Sequence, residues 1–184
     1  MQQLVEDCRF LGVDETRHGR PDELFVGVYS DNPFLVMPDR MGKRRNENTP
    51  VEDELKSEDA FRYVRFNGDF RDCFSDNDLK VIAISELIRA ASPLERVIFD
   101  GHLPDVYALS LSGLFGKGMF PRFESYHHAD VTYPIVNKAD RIASILGKNY
   151  DRKKRAGDYS KFELYPSIDF YLKALGNCRP IRRK

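Results

Sequence analysis

A chain of 184 residues, 41% hydrophobic and 32% charged, is long enough for one domain with a proper core and is globular rather than disordered. Its 29 Lys/Arg balance 29 Asp/Glu, so net charge alone points to no polyanionic partner. Cys8, Cys73 and Cys178 are unclustered and lack CxxC spacing, which argues against a disulfide frame or a cysteine zinc site; with no apolar run of transmembrane length and no signal-peptide character, a soluble cytoplasmic protein is expected.

The apolar run Phe10-Leu11-Gly12-Val13, ending in Asp14-Glu15, reads as a buried strand. Successive strand residues face opposite ways, so the two acids can meet one ion only where the pleat relaxes at the strand end. Taken alone, they equally suit a strand leaving the core. Leu24–Ser30 is a second strand, close enough to the first for an antiparallel hairpin. Phe34–Met37, between Pro33 and Pro38, reads as a short third strand, and the charged stretch 39–59 as a loop. Phe61–Phe66 alternates apolar with basic residues, as an edge or half-exposed strand does. Ser75 or Asp76 then caps a helix with apolar residues at 79, 82, 83, 87 and 88, stopping at Ser92-Pro93. A strand at Arg96–Asp100, a helix at Asp105–Leu114, a strand at Pro121–Tyr126 and a long helix over Thr132–Tyr150 follow, with a last helix over Ser167–Leu175. Antiparallel strands followed by strand-helix alternation predict an α/β fold, a mixed sheet flanked by helices. Residues 1–150 form the expected core. Residues 151–184 form a basic helical segment packed on it, within a region (148–184) that carries eleven Lys/Arg against four Asp/Glu. Such an end suits a polyanion or a solvated helix with a basic tail.

Asp14 with Glu15, Asp100 and Asp130 each end a strand or lie just beyond one. Functional groups of α/β sheets gather at the carboxyl ends of strands. Carboxylates crowded there raise one another's pKa unless a cation neutralises them. All-oxygen donors suit Mg2+ or Mn2+ rather than zinc, and two such ions can activate water and stabilise a leaving oxygen in phosphodiester hydrolysis. His127, His128 and Asp130 are too closely spaced, on alternating directions, to make a good zinc site. Gly116-Lys117-Gly118 lacks Walker spacing and reads as a turn.

In this order the motifs resemble the type 2 ribonucleases H (ribonuclease HII). Asp14-Glu15-Thr16-Arg17-His18-Gly19 is similar to the family's Asp-Glu-x-Gly-Arg-Gly, and Val97-Ile98-Phe99-Asp100-Gly101 to its central strand. Ala129-Asp130 with Tyr133-Pro134, followed by Ala143-Ser144-Ile145-Leu146-Gly147-Lys148, is similar to its third motif; Tyr165-Pro166-Ser167 is similar to its Gly-Tyr-Pro-Ser. The resemblance spans residues 10 to about 175. It implies a ribonuclease H-like fold and two-ion hydrolysis of RNA in RNA–DNA hybrid or at ribonucleotides embedded in duplex DNA; separately, a monomer is expected. It also implies that Asp14, Glu15, Asp100 and Asp130 bind metal and carry catalysis. Arg17, His18, Gly19, Lys148 and Tyr165 would contact nucleic acid, Lys148 at a phosphate and Tyr165 beside a sugar.

Three departures qualify this. Arg17 replaces a glycine that lets the backbone approach a ribose 2′-hydroxyl. About three extra residues, Lys138 to Asp140 or thereabouts, enter the third motif and could rotate its helix or create a bulge. The family's Asp-Ser-Lys segment has no convincing counterpart, Lys43 being a poor candidate. Two alternatives therefore stand beside the ribonuclease reading: a nuclease of the same fold with relaxed sugar choice, cutting DNA or structured RNA, and a non-catalytic nucleic-acid-binding module.

Overall fold

The opening apolar run forms strand β1 (Phe10–Thr16), which pairs antiparallel with β2 (Glu23–Ser30) in the register Asp14↔Val26, Glu15↔Phe25 and Thr16↔Leu24. The computed structural model describes residues 5, 8–16, 22–40, 51, 55, 59–68, 70, 74–91, 93–151, 159–167 and 170–171. Further along lie β3 (Ala60–Phe66), α1 (Asp76–Arg89), β4 (Arg96–Asp100), α2 (Asp105–Gly113), β5 (Arg122–Tyr126), α3 (Pro134–Asp151) and the two-residue β6 (Glu163–Leu164). The sheet order is β5-β4-β1-β2-β3-β6. The β2–β3 pair is antiparallel, while β1–β4, β4–β5 and β3–β6 are parallel. Hence β2 runs against the other five strands, whose carboxyl ends share one edge of the sheet. The mixed α/β sheet expected from the sequence is the one observed.

Alternation along β1 splits the core into two layers. Leu11 and Val13 join Phe25, Phe99 and the apolar side chains of α1 on one face. Phe10, Leu24, Val26 and Ile98 join α3 on the other, where Ile135, Ala139, Ile142, Ala143 and Leu146 repeat at helical spacing. Gly12 sets the distance between β1 and α3. A Cβ there would lie 2.7 Å from Ile135 Cγ2 and 2.8 Å from its carbonyl carbon, so only glycine admits the helix this close.

α1 starts where the sequence places it, with Ser75 accepting from the Asp78 amide and Asp78 returning a bond to the Ser75 amide. It ends at Arg89, a little before Ser92-Pro93. Phe34–Met37 is not a strand: residues Pro33–Val36 form a 3-10 turn. Asn32 caps that turn by accepting from the Phe34 amide at 3.0 Å, Pro33 supplies a preset φ, and prolines on both sides remove ladder donors. β3 keeps Arg62 and Arg65 half-buried but is covered at its outer side by β6.

α3 starts at Pro134, a residue whose missing amide suits the first helical position, and it is preceded by a 3-10 turn at Ala129–Val131. It continues unbroken through residues 138–140, so the extra residues of the third motif make no bulge. Most of the charged stretch 39–59 and of the basic end lies outside the described residues, including all of 172–184. Within the latter, β6 extends the sheet, and the buried Tyr171 hydroxyl donates to Glu86 on α1 at 2.8 Å. No helix among the described residues is long and apolar enough to cross a membrane.

Candidate active site

Of the carboxylates predicted at strand ends, Asp14, Asp100 and Asp130 lie near one another at the shared carboxyl edge of the sheet, and Glu15 does not join them. Val13 pairs with Phe99, so Asp14 and Asp100, each the next residue, lie side by side on the α3 face of adjacent parallel strands. From β5 the chain turns back through His128, held left-handed at φ 62, and this turn aims the Ala129 amide at Asp100 Oδ1, 3.0 Å away. Asn137, on the first turns of α3, donates to the Asp130 carbonyl at 2.9 Å and fixes the turn that presents Asp130.

Asp14 is only 6% exposed. Burial, then the charges of Asp140, Asp100, Asp130 and Glu15, hold its carboxyl well above the ordinary carboxylate range. Asp100 is also pushed up by burial, opposed by the Ala129 amide and reinforced by Asp130. Both shifts have the sign expected of acids gathered where a cation would lower their charge.

Two residues of the site escape sequence reading. Asp140 falls within the stretch that looks like an insertion. Its signal is helical spacing, four residues after Val136 and three before Ala143, which puts an acid at the flank of the buried stripe. Lys80 is the other. It lies in the run Leu79–Ile88, buried throughout, and a charge inside such a run is itself unusual. Its Nζ lies 3.5 Å from Glu15 Oε1, donates to the His102 carbonyl at 3.2 Å, and stands over the Phe99 ring.

This contact settles how Asp14 and Glu15 are arranged. The pleat does not relax after Asp14, because β1 stays paired through Thr16. Asp14 therefore turns toward α3 and Glu15 toward α1, where Lys80 meets it.

Among the expected nucleic-acid contacts, Arg17, His18 and Gly19 lie outside the described residues, as does Lys43. Lys148 is half-buried in the last turn of α3, roughly 12 Å along the axis from Asp140 at the helical rise per residue. Tyr165 is 66% exposed. It follows β6 at the level of Arg65, Leu24 and Thr16, on the same carboxyl edge but about 14 Å from β1 at the usual strand spacing. Near the carboxylates, the exposed rings of His102 and His127 stack with centroids 5.8 Å apart.

Among the described residues, no three His, Cys, Asp or Glu side chains are gathered closely enough to hold a metal ion as they stand, His127, His128 and Asp130 included. In kind, the donor set fits a hard divalent cation: the converging groups are carboxylate oxygens, and burial leaves their charge poorly solvated.

No protein-family model matches the sequence, and no curated protein matches it significantly. Solved structures do match. A structure of the PCNA:RNase HII complex from Archaeoglobus fulgidus aligns with a TM-score of 0.60 at 15% identity, over 94% of this chain and 92% of that chain. Bst-RNase HIII in complex with Mn2+ aligns with a TM-score of 0.52 at 16% identity, over 79% of this chain and 54% of that one. At such identities the likeness is one of architecture: the chain has a ribonuclease H-like fold, resembling ribonucleases HII and HIII.

Proposed function

We propose that this protein is a divalent-metal-dependent endonuclease that hydrolyses phosphodiester bonds at ribonucleotides, in RNA–DNA hybrid or embedded in duplex DNA. The observation that carries the reading is the convergence of Asp14, Asp100 and Asp130, joined by Asp140, on the carboxyl edge of a ribonuclease H-like sheet, with Asp14 nearly buried. The Mn2+ bound to a structural relative supports the choice of cation.

Asp14, Asp100, Asp130 and Asp140 are the side chains that would hold Mg2+ or Mn2+, with Glu15 beside them. Bound there, divalent cation would supply an activated water and charge stabilisation for the leaving oxygen. The chain's own part is to bind and orient. The Ala129 amide holds Asp100 in place, Asn137 holds the turn of Asp130, and Lys148 with the basic residues beyond it offers charge to the phosphate backbone. Tyr165, exposed on the same edge, offers a face for stacking beside a sugar or base. All four strand-end acids of the family motifs are retained, which favours an enzyme over a binding module.

Arg17, in place of glycine, favours keeping a second reading in view: the same chemistry with relaxed sugar choice. A cleavage panel separates the two. With Mg2+ or Mn2+, the protein is expected to cut hybrid or nick a duplex containing one ribonucleotide, to spare all-DNA duplex, and to lose activity as Asp100→Asn or Asp130→Asn. Equal cutting of all-DNA duplex would replace the ribonucleotide-directed reading with the relaxed one. Undiminished activity of both variants would remove the assigned site.

A further inference from the structure

A second exposed tyrosine stands on the carboxyl edge, on the far side of the carboxylates from Tyr165. Tyr126 ends β5 and is the register partner of Asp100, so the two lie on the same face of the sheet. It is 42% exposed, yet it is held from two directions. Its hydroxyl donates to Glu124 Oε2 at 2.8 Å, and its ring stacks on that of the buried Tyr133 with centroids 5.6 Å apart and planes at 25°. Glu124 is in turn bonded by Arg96 and paired with Arg122, so the charge of the acid that holds the ring is offset by two guanidinium groups. An aromatic ring fixed before any partner arrives loses little side-chain freedom on binding.

The sheet order sets the spacing. β5 is two strands from β1 on one side, and β6, which leads into Tyr165, is three strands from it on the other. At the usual strand spacing the two tyrosines stand about 24 Å apart, about seven steps of a duplex, with Asp14 and Asp100 between them. We propose that Tyr126 is a further nucleic-acid contact, packing against a sugar of the bound duplex about three base pairs from the cleaved bond, on the side away from Tyr165. This rests on the nuclease reading and adds to it a direction for the duplex, along the sheet edge from β6 to β5. A tyrosine that only closed the edge strand would stabilise the fold but would be indifferent to where a ribonucleotide lies in its duplex.

The experiment is steady-state nicking by the full-length chain, in Mn2+, of duplexes of one length in which a single ribonucleotide is moved stepwise toward either end. The wild type is expected to show a KM about tenfold higher as the ribonucleotide nears each end, on the scale of a lost aromatic contact. Tyr126→Ala should lose the dependence on one end and keep the other, with the higher KM throughout and kcat within about twofold of the wild type. Tyr126→Phe, which keeps the ring, should follow the wild type. A Tyr126→Ala protein with unchanged KM and both dependences would overturn the proposal. Where that variant does not fold, the wild type still decides, since dependence on one end alone overturns the contact and leaves the nuclease reading intact. A wild type that nicks none of the duplexes sinks the nuclease reading itself.

Discussion

Asp140, on α3, weighs on the Asp14 carboxylate more heavily than Asp100, Asp130 or Glu15 does. The pairing depends on Gly12, which has no side chain to keep α3 away from β1. Asp140 should therefore belong to the proposed cation site although no strand-end pattern includes it. Asp140→Asn is expected to bind Mn2+ about 10–100-fold more weakly, the usual loss when a group supporting a metal site is removed. The same change should raise the melting temperature of the metal-free protein at pH 7. Calorimetry and thermal melts with and without Mn2+ check both, and unchanged affinity would place Asp140 outside the site.

The raised pKa of Asp14 also fixes a pH dependence. The folded state binds this proton more tightly than the unfolded state does, so the metal-free protein loses stability as pH rises from the unfolded carboxylate value toward the raised folded one. Asp14→Asn removes that slope. In melts from pH 4 to 8 without metal, the variant should gain on the wild type as pH increases. A constant difference would mean that Asp14 is not strained in its charged form.

Gly12→Ala tests the close approach of β1 and α3. The added Cβ would overlap both the side chain and the backbone of Ile135, at a cost of about 1–3 kcal/mol for overpacking. Because backbone atoms are among those contacted, adding Ile135→Val should restore only part of the loss in denaturant titrations. Full recovery would show that the side chain alone sets the spacing.

His128 holds a left-handed backbone conformation that directs the Ala129 amide to Asp100. His128→Val is expected to lose about 1–2 kcal/mol, since branched residues tolerate that conformation poorly. His128→Gly should stay within about 1 kcal/mol of the wild type, strain relief offsetting added chain entropy. Equal losses in the two variants would point to the imidazole rather than the backbone.

At the base of β4 and β5, Arg96 forms two bonds to Glu124, at 3.2 and 2.7 Å. Burial acts to raise the Glu124 pKa, but bonds from Arg96 and Tyr126 with the charges of Arg96 and Arg122 outweigh it and leave the group lowered. Its contribution to stability is thus present above the unfolded carboxylate pKa and lost as pH falls through the lower folded value. Glu124→Gln should cost about 1.5–3 kcal/mol at pH 7, the range for bonds to charged groups. The gap should close in strong acid, and a gap independent of pH would contradict an ionised pair.

Much of this architecture is legible in the sequence because period and punctuation agree. β1, β2 and β4 are short apolar runs bounded by polar or turn residues, and Ser75 with Asp78 marks the start of α1. Phe34–Met37 misleads because four apolar residues cannot distinguish a strand from a tight turn; Asn32 and the flanking prolines decide it. Asp14, Asp100 and Asp130 are legible as strand-end acids. Asp140 and Lys80 are less so, because their roles arise from which face of a helix packs on which face of the sheet. That relation depends on Gly12 and on the pleat of β1 rather than on any local motif.

The most direct test is the initial rate of nicking, in Mn2+, of a DNA duplex carrying one ribonucleotide, for the wild type and Asp14→Asn side by side. The wild type is expected to nick at the ribonucleotide and the variant to lose at least about 1,000-fold, on the scale of removing a group that stabilises transition-state charge. A variant within about tenfold of the wild type, a gap of roughly 1.4 kcal/mol or less, would contradict it.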